Sequence, residues 1–287
     1  MNDSGVIAAP PTDRVLDLFQ GIRLTPTQRR IAHSLVQHAA SAAYLSAAEV
    51  AELAKVSQPS VTRFAMALGY DGYPALRRRL REIAAAGQAR PESGPPAGNE
   101  TQRAVRAEAD NLHRLADQLA DRDRVTTAGN LLANSRPLVV LGLRAAAPLA
   151  AYFAYFAAKV HPDVRVCDSG GSLLADRLDQ ARAAGATAML AIVLPRYPRE
   201  ALEALREARE GGMSVVVITD SAVSPAAEYA EIVLPAAGAQ LVFDLHSAPM
   251  ALSMVLLQAI CDATPADAQR RLEEFEQSAA RRQLFVG

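Results

Sequence analysis

Five hydrogen-bonding side chains fall within seven consecutive positions of this 287-residue chain: Ser57, Gln58, Ser60, Thr62 and Arg63. An arginine fork matches the two acceptors on a guanine edge, a glutamine amide matches adenine, and hydroxyls take either bases or phosphate oxygens. On one side of a helix, such residues are suited to reading DNA. A second group is scattered. Gly142, Arg144, Ser169, Gly170, Arg196, Arg199 and Ser221 all follow closely on short apolar runs. Free backbone N–H groups at helix starts, joined by guanidinium groups, would hold a small phosphorylated or carboxylated ligand.

The first group needs a helix to present it, and the flanking residues predict two helix starts in close succession. Ser46 followed by Glu49 has capping-box spacing, so a helix begins near Ala47, with Val50, Leu53 and Ala54 directed toward a core. After Lys55-Val56, Ser57 is positioned to cap a second helix, and Pro59 falls in its first turn, where a missing N–H costs little. Val61, Phe64, Ala65 and Leu68 share one face of that helix; Pro59, Thr62, Arg63 and Met66 share the opposite one. Gly69 is the expected left-handed C-cap. Two helices joined by so tight a turn read as a helix-turn-helix, whose second helix enters the major groove. The competing reading is a helical pair inside an interaction domain, with an ordinary solvated outer face.

The surrounding segments extend this into an all-helical N-terminal domain over residues 1–86. A short helix is predicted from Thr12 to Gln20. Another is capped by Thr25 and started by Pro26, with Ile31, Leu35, Val36 and Ala39 inward. A turn at Gly69-Tyr-Asp-Gly72 precedes a further helix from about Pro74 to Ala86. That helix carries Arg77-Arg78-Arg79-Leu80-Arg81, which is either a phosphate-contacting strip or the solvated face beside Leu76, Leu80 and Ile83.

Gly87 to Gly98 has linker composition, placing a boundary over residues 87–100, and a second domain occupies 101–287. Two helices are expected between Thr101 and Asn134, broken near Asp121–Asp123, with Val105, Leu112, Leu115, Leu119, Val125, Leu131 and Leu132 on their apolar faces. Five apolar, mostly β-branched runs follow: Leu138–Gly142, Val164–Cys167, Ala188–Leu194, Val215–Thr219 and Ile232–Pro235. Helical patterns at Pro148–Val160, Leu173–Ala184 and Arg199–Glu210 alternate with them. An α/β fold with a parallel sheet covered on both faces is therefore expected, completed by helices at Phe243–Cys261 and Pro265–Arg282. In such a sheet ligands bind beyond the carboxyl ends of the strands, which is where the second group of residues lies.

Composition narrows the partners. The net charge is −1, but residues 1–85 hold ten Lys or Arg against seven Asp or Glu, leaving the remainder at −4. A slightly basic end on an acidic body suits DNA at one end only. Cys167 and Cys261 are too few for a disulfide framework or a metal site. No apolar run is long enough to span a bilayer, and the start lacks a signal pattern, so a cytoplasmic location is expected, with no membrane partner, metal or cofactor. His161 and His246 stand apart from any catalytic arrangement.

Taken together, Leu24–Ala32, Leu45–Ala54, Val56–Phe64 and Leu68–Tyr73 resemble the DNA-binding domain of the RpiR/MurR family of bacterial transcriptional regulators. Val216–Pro225 and Ala230–Pro235 resemble the sugar isomerase (SIS) domain that the family uses to sense effectors. The resemblance implies an SIS-type α/β/α domain with a five-stranded parallel sheet, self-association through that domain as a homodimer or homotetramer, and phosphosugar binding near the first and third strand ends. Two departures bear on the ligand. The pattern Gly-x-Gly-x-Ser stands here as Gly142-Leu-Arg144-Ala-Ala146, and Ser-x-Ser-Gly-x-Thr-x-Glu stands as Val193 to Glu200, keeping only its last residue. The hydroxyls of both patterns are missing and three arginines stand in or beside these loops, which points to an acidic ligand of the sugar phosphate or sugar acid class. The resulting expectation is a non-enzymatic regulator of a palindromic double-stranded operator. A phosphosugar isomerase or lyase using Glu200 or Glu228 as base is the alternative, as is a regulator whose SIS domain only oligomerises.

Overall fold

The structure, a computed structural model, describes residues 11–19, 22–88, 98–194, 196–238 and 244–285. The chain divides into two compact units, residues 1–97 with 223–228, and residues 98–222 with 229–287. Most of the expected linker, residues 89–97, lies outside the described residues, as do Gln20, Pro195 and Phe243.

Helices α1 (Pro11–Asp17), α2 (Pro26–Gln37), α3 (Ala39–Ala42), α4 (Ala47–Leu53), α5 (Gln58–Ala67) and α6 (Tyr73–Gln88) form the first unit. Local chemistry sets their starts. Thr25 with Gln28, and Ser46 with Glu49, each close a reciprocal capping box, so two orphan backbone donors are satisfied at α2 and at α4. The Ser46 hydrogen bonds hold the Glu49 carboxyl below the usual carboxylate range. Ile31, Leu35, Val50, Val61, Phe64, Leu76 and Leu80 are fully buried together, with the Phe19 and Phe64 rings 5.7 Å apart. Tyr73 ties α6 to the segment before α4: its hydroxyl donates to the Leu45 carbonyl at 3.0 Å, and burial pushes its pKa up to about 12. Two details differ from expectation. The short α3 is an addition, and Leu53 is 43% exposed because Ala51 takes the inward position beside Val50 and Ala54.

The second unit starts with α7 (Glu100–Gln118) and α8 (Asp123–Asn134), broken where the sequence predicts. Strands β1 (Leu138–Gly142), β2 (Val164–Cys167), β3 (Ala188–Val193), β4 (Ser214–Thr219) and β5 (Ile232–Pro235) pair in parallel in the order β2-β1-β3-β4-β5. Their connections carry α9 (Ala147–Val160), α10 (Ser172–Ala183) and α11 (Arg199–Glu210), and the sheet is followed by α12 (Ser247–Ala263) and α13 (Pro265–Arg281). Every residue of β1 and β3 is buried, as a sheet covered on both faces requires. Val140, Leu190, Ile192 and Val216 pack with Leu132, Phe153, Leu252 and Leu256 from α8, α9 and α12 in one continuous core. Ser135 ties the start of β1 to β3, its buried hydroxyl accepting from the Ala188 N–H at 3.0 Å. His161 is a core residue, and burial lowers its pKa. Among the described residues no single helix is long and apolar enough to cross a membrane.

Helix α7 is held by an uncommon arrangement. Its inward face is Ala104, Glu108, Asn111 and Leu115, while Val105 and Leu112, expected inward, are exposed. Glu108 is 5% exposed; its Oε1 accepts the backbone N–H groups of Ser247 at 2.9 Å and Ala248 at 3.2 Å, the first two residues of α12. Asn111 donates to Glu108 Oε2 at 3.0 Å, and Arg114 donates to Asn111 in turn. The residue preceding α12, His246, makes no side-chain cap, so a carboxylate from another helix performs that service at the positive end of the dipole. Glu108→Ala should lower the unfolding free energy of this unit by about 1–3 kcal/mol, the cost of stranding buried donors. Urea melts followed by circular dichroism would measure it, and an unchanged midpoint would show that the cap contributes nothing.

Candidate functional site

The polar group on α5 stands as the helical spacing predicts. Val61, Phe64 and Ala65 are buried, whereas Gln58, Pro59, Arg63 and Met66 are exposed and Ser60 and Thr62 are half-buried. Ser57 is the N-cap residue by backbone conformation, but its hydroxyl does not cap a helix N–H. It pairs instead with Ser60 Oγ at 2.9 Å, and Arg63 Nη2 donates to the same Ser60 oxygen at 3.2 Å. Residues 57, 60 and 63 thus form a short chain along one edge of α5, which biases the guanidinium toward the N-terminal half of the helix. Only the three-residue spacing hinted at this in the sequence. The basic run of α6 is divided in role: Arg81 donates to the Ala43 carbonyl at 3.1 Å, Arg79 pairs with Glu82 at 3.0 Å, and Arg78 is exposed. Two of its arginines therefore have partners within the unit.

In the second unit the sheet reverses direction of growth at β1, with β2 on one side and β3 on the other. The loops after β1 and β3 therefore part, leaving the crevice where open α/β sheets bind ligands. Gly142 ends β1 under α9; a Cβ there would lie 2.6 Å from the Ala146 carbonyl oxygen and from Ala150 Cβ, so no side chain fits. Arg144 has φ +55°. It occupies the position of the second glycine in the Gly-x-Gly-x-Ser pattern, and its backbone keeps the left-handed conformation that a glycine would adopt freely. Arg144 and Arg196, on the loops after β1 and β3, and Arg199, the first residue of α11, are all exposed, and none is ion-paired with another described residue.

The loop after β2 meets a carboxylate. Glu200 Oε1 accepts the Gly171 N–H at 3.1 Å, and a Cβ on Gly170 would fall 2.1 Å from Glu200 Oε2, so a side chain there would move the carboxylate aside. Ser169, exposed, donates to Asp168 at 3.1 Å, and Asp168 also pairs with Arg177 at 3.4 Å. Ser221 is buried after β4. Tyr197 donates to Asp220 at 2.6 Å, and burial beside that carboxylate raises the pKa of its phenol. The structure thus brings Gly170 to Glu200 and Tyr197 to Asp220, while Ser169 turns to its own neighbour. Tyr197, Asp220 and the Glu200–Gly171 contact are absent from the sequence reading, because pairs separated by 23 and 29 positions leave no local signature.

Comparison with known proteins agrees with both halves. Residues 20–87 match the family model described as "Helix-turn-helix domain, rpiR family", and residues 131–265 match "SIS domain". The HTH-type transcriptional regulator HexR of Pseudomonas aeruginosa is 29% identical over 221 residues, covering 74% of each chain. An HTH-type regulator of Escherichia coli, YfhH, is 39% identical over 80 residues, 28% of this chain and 27% of that one. Among solved structures, the sugar isomerase domain of the RpiR transcription factor from Sphaerobacter thermophilus superimposes with a TM-score of 0.57 at 24% identity, covering 63% of this chain and 99% of that one. The NanR protein of Vibrio vulnificus, complexed with ManNAc-6P, gives 0.58 at 15% identity, covering 97% and 100%. At these identities the superpositions establish the fold.

The left-handed backbone at Arg144 makes a direct prediction. Arg144→Gly should be more stable than Arg144→Ala by about 1 kcal/mol, because only glycine takes that conformation without cost. Equal urea midpoints for the two variants would show that residue 144 is not held there.

Proposed function

We propose, from the match of residues 20–87 to the rpiR-family helix-turn-helix and of residues 131–265 to the SIS domain, that the chain is an RpiR-type transcriptional regulator in which α5 reads a palindromic double-stranded operator and a small anionic metabolite at the strand ends of the SIS domain tunes the binding. The division into a DNA-binding domain over 1–86, a linker over 87–100 and an effector and dimerisation domain over 101–287 goes with this reading. The observation that carries it is the outer face of α5, where Gln58, Thr62 and the Ser60-steered Arg63 lie opposite a fully buried packing face. Ser57 and Ser60 complete the set as contacts to bases or phosphates.

For the effector, the reading rests on Gly142, Arg144, Ser169, Gly170, Arg196, Arg199 and Ser221 around the strand ends, and on the ManNAc-6P held by the structurally similar NanR. The hydroxyls of the family pattern are absent and guanidinium groups stand in or beside the same loops, which suits a sugar phosphate or a sugar acid. A dimer would set two α5 helices on half-sites about 34 Å apart or a multiple of it. The reading needs no catalysis, metal or cofactor, and it places the protein in the cytoplasm with its DNA. Coupling requires only that the metabolite bind the DNA-competent and DNA-incompetent arrangements with different affinity.

Fluorescence anisotropy at about 150 mM salt tests it, with the intergenic DNA upstream of the chain's own coding sequence against a scrambled copy. Tight binding to the native fragment alone is expected, and phosphosugars or sugar acids should shift that curve. Arg63→Ala should weaken specific binding by about 1–3 kcal/mol and leave scrambled DNA nearly unaffected. Equal losses on both DNAs would reject base reading by Arg63, and a curve that no acidic sugar moves would reject the sensing half.

A further inference from the structure

Helix α6 carries a strip of positive charge whose place is fixed by its neighbours. Tyr73, Leu76, Leu80 and Ile83 are buried on one face of the helix. Pro74, Arg77, Arg78 and Arg81 follow one another at helical spacing on an outward flank, Arg77 half-buried and the other three exposed. Two hydrogen bonds hold this flank beside the start of α4. Arg81 Nε donates to the Ala43 carbonyl at 3.1 Å and Tyr73 to the Leu45 carbonyl at 3.0 Å, both just ahead of the Ser46 N-cap. Arg77 also lies close enough to Glu49, in the first turn of α4, to help keep that carboxyl ionised. The strip begins where the turn into α6 meets α5, since a Cβ on Gly72 would lie 3.8 Å from Thr62 Cγ2 and 3.7 Å from Pro74 Cδ. It therefore runs from the outer face of α5 to the start of α4.

We propose that this strip, Arg77, Arg78 and Arg81 together with Tyr44, binds the sugar-phosphate backbone of the DNA whose bases α5 reads. This rests on the DNA-binding reading above and gives that reading a second surface, one indifferent to sequence. When the second helix of a helix-turn-helix is seated in the major groove, the first crosses the backbone, so phosphates pass the region of α4. The charges gathered there have the matching sign. Helix α6 holds four arginines and one acidic residue, Glu82, and Glu82 pairs with Arg79 on the other flank. Arg78 is ion-paired with no other described residue. Arg81 spends its Nε–H on Ala43, which steadies the guanidinium and leaves the Nη donors for an anion. Tyr44, the residue after Ala43, is 67% exposed, and its hydroxyl is a neutral donor of the kind that positions DNA without reading it.

Anisotropy titrations of the full-length chain on the upstream fragment and on its scrambled copy, at salt from about 50 to 200 mM, test the strip. Arg78→Gln and Arg81→Gln should each weaken binding to both DNAs by the same factor and lower the slope of log K against log salt by about one, because each lost phosphate contact retains about one counterion. Tyr44→Phe should weaken both without moving the slope. Arg79→Gln, on the other flank, should change neither. Circular dichroism checks each fold, and Arg78, with no anchoring contact to lose, keeps the test decisive should Arg81→Gln unfold.

An unchanged slope for Arg78→Gln, or an equal fall for Arg79→Gln, would overturn the strip while leaving α5 as the reader. A loss confined to the native fragment would assign Arg78 to base reading and overturn its phosphate role. Phosphates are alike in every sequence, so the slopes are informative on scrambled DNA as well. A native chain that binds neither DNA at about 50 mM salt would overturn the DNA-binding reading itself.

Discussion

A parallel sheet built from right-handed crossovers has to be buried on both faces, and that constraint governs the larger unit. The order β2-β1-β3-β4-β5 follows from winding the chain first to one side of β1 and then to the other. Covering helices then fill both faces, which leaves the strand ends as the place where polar groups can gather without interrupting the core. The arginines, the glycines and Glu200 all lie on that rim. Gly142 shows how tight the constraint is, since the turn out of β1 lets α9 pack so closely that a methyl group would collide with its first turn.

Helix α7 joins this sheet unit through buried hydrogen bonds as well as apolar contacts. Its inward face holds a carboxylate and an amide among two apolar residues, and a buried carboxylate is tolerable only when its lone pairs are used. The two N–H groups at the start of α12 and the Asn111 amide use them. A directional contact of this kind fixes the helix in rotation as well as position, which an all-leucine seam would do less strictly.

In the smaller unit, the capping boxes and Tyr73 serve α5. Ser46 with Glu49 starts α4, the Tyr73 hydroxyl binds the carbonyl just before it, and Phe64 locks α5 into the core. The outer face of α5 is thereby rigid in its backbone, while Ser57, Ser60 and Arg63 are linked to one another by hydrogen bonds along its edge.

Local information was enough for whatever depends on neighbours in the chain. The helix starts at Pro26 and Ala47, the outer face of α5, the break between α7 and α8, and the five strands were legible because caps, spacing and β-branched runs act within a few residues. The glycine pattern was legible even in its departure, since Arg144 keeps the backbone conformation of the residue it replaces. Leu53, Val105 and Leu112 were misjudged because periodicity identifies an apolar stripe without saying whether a neighbour covers it. The N-cap at Ser57 was right in backbone and wrong in side chain, as two hydroxyls three residues apart had a better partner in each other. Glu108 on α12, Glu200 on Gly171 and Tyr197 on Asp220 were decided by tertiary structure alone. Each joins groups far apart in the chain, and only the closed sheet and its packed helices bring their atoms within hydrogen-bonding reach.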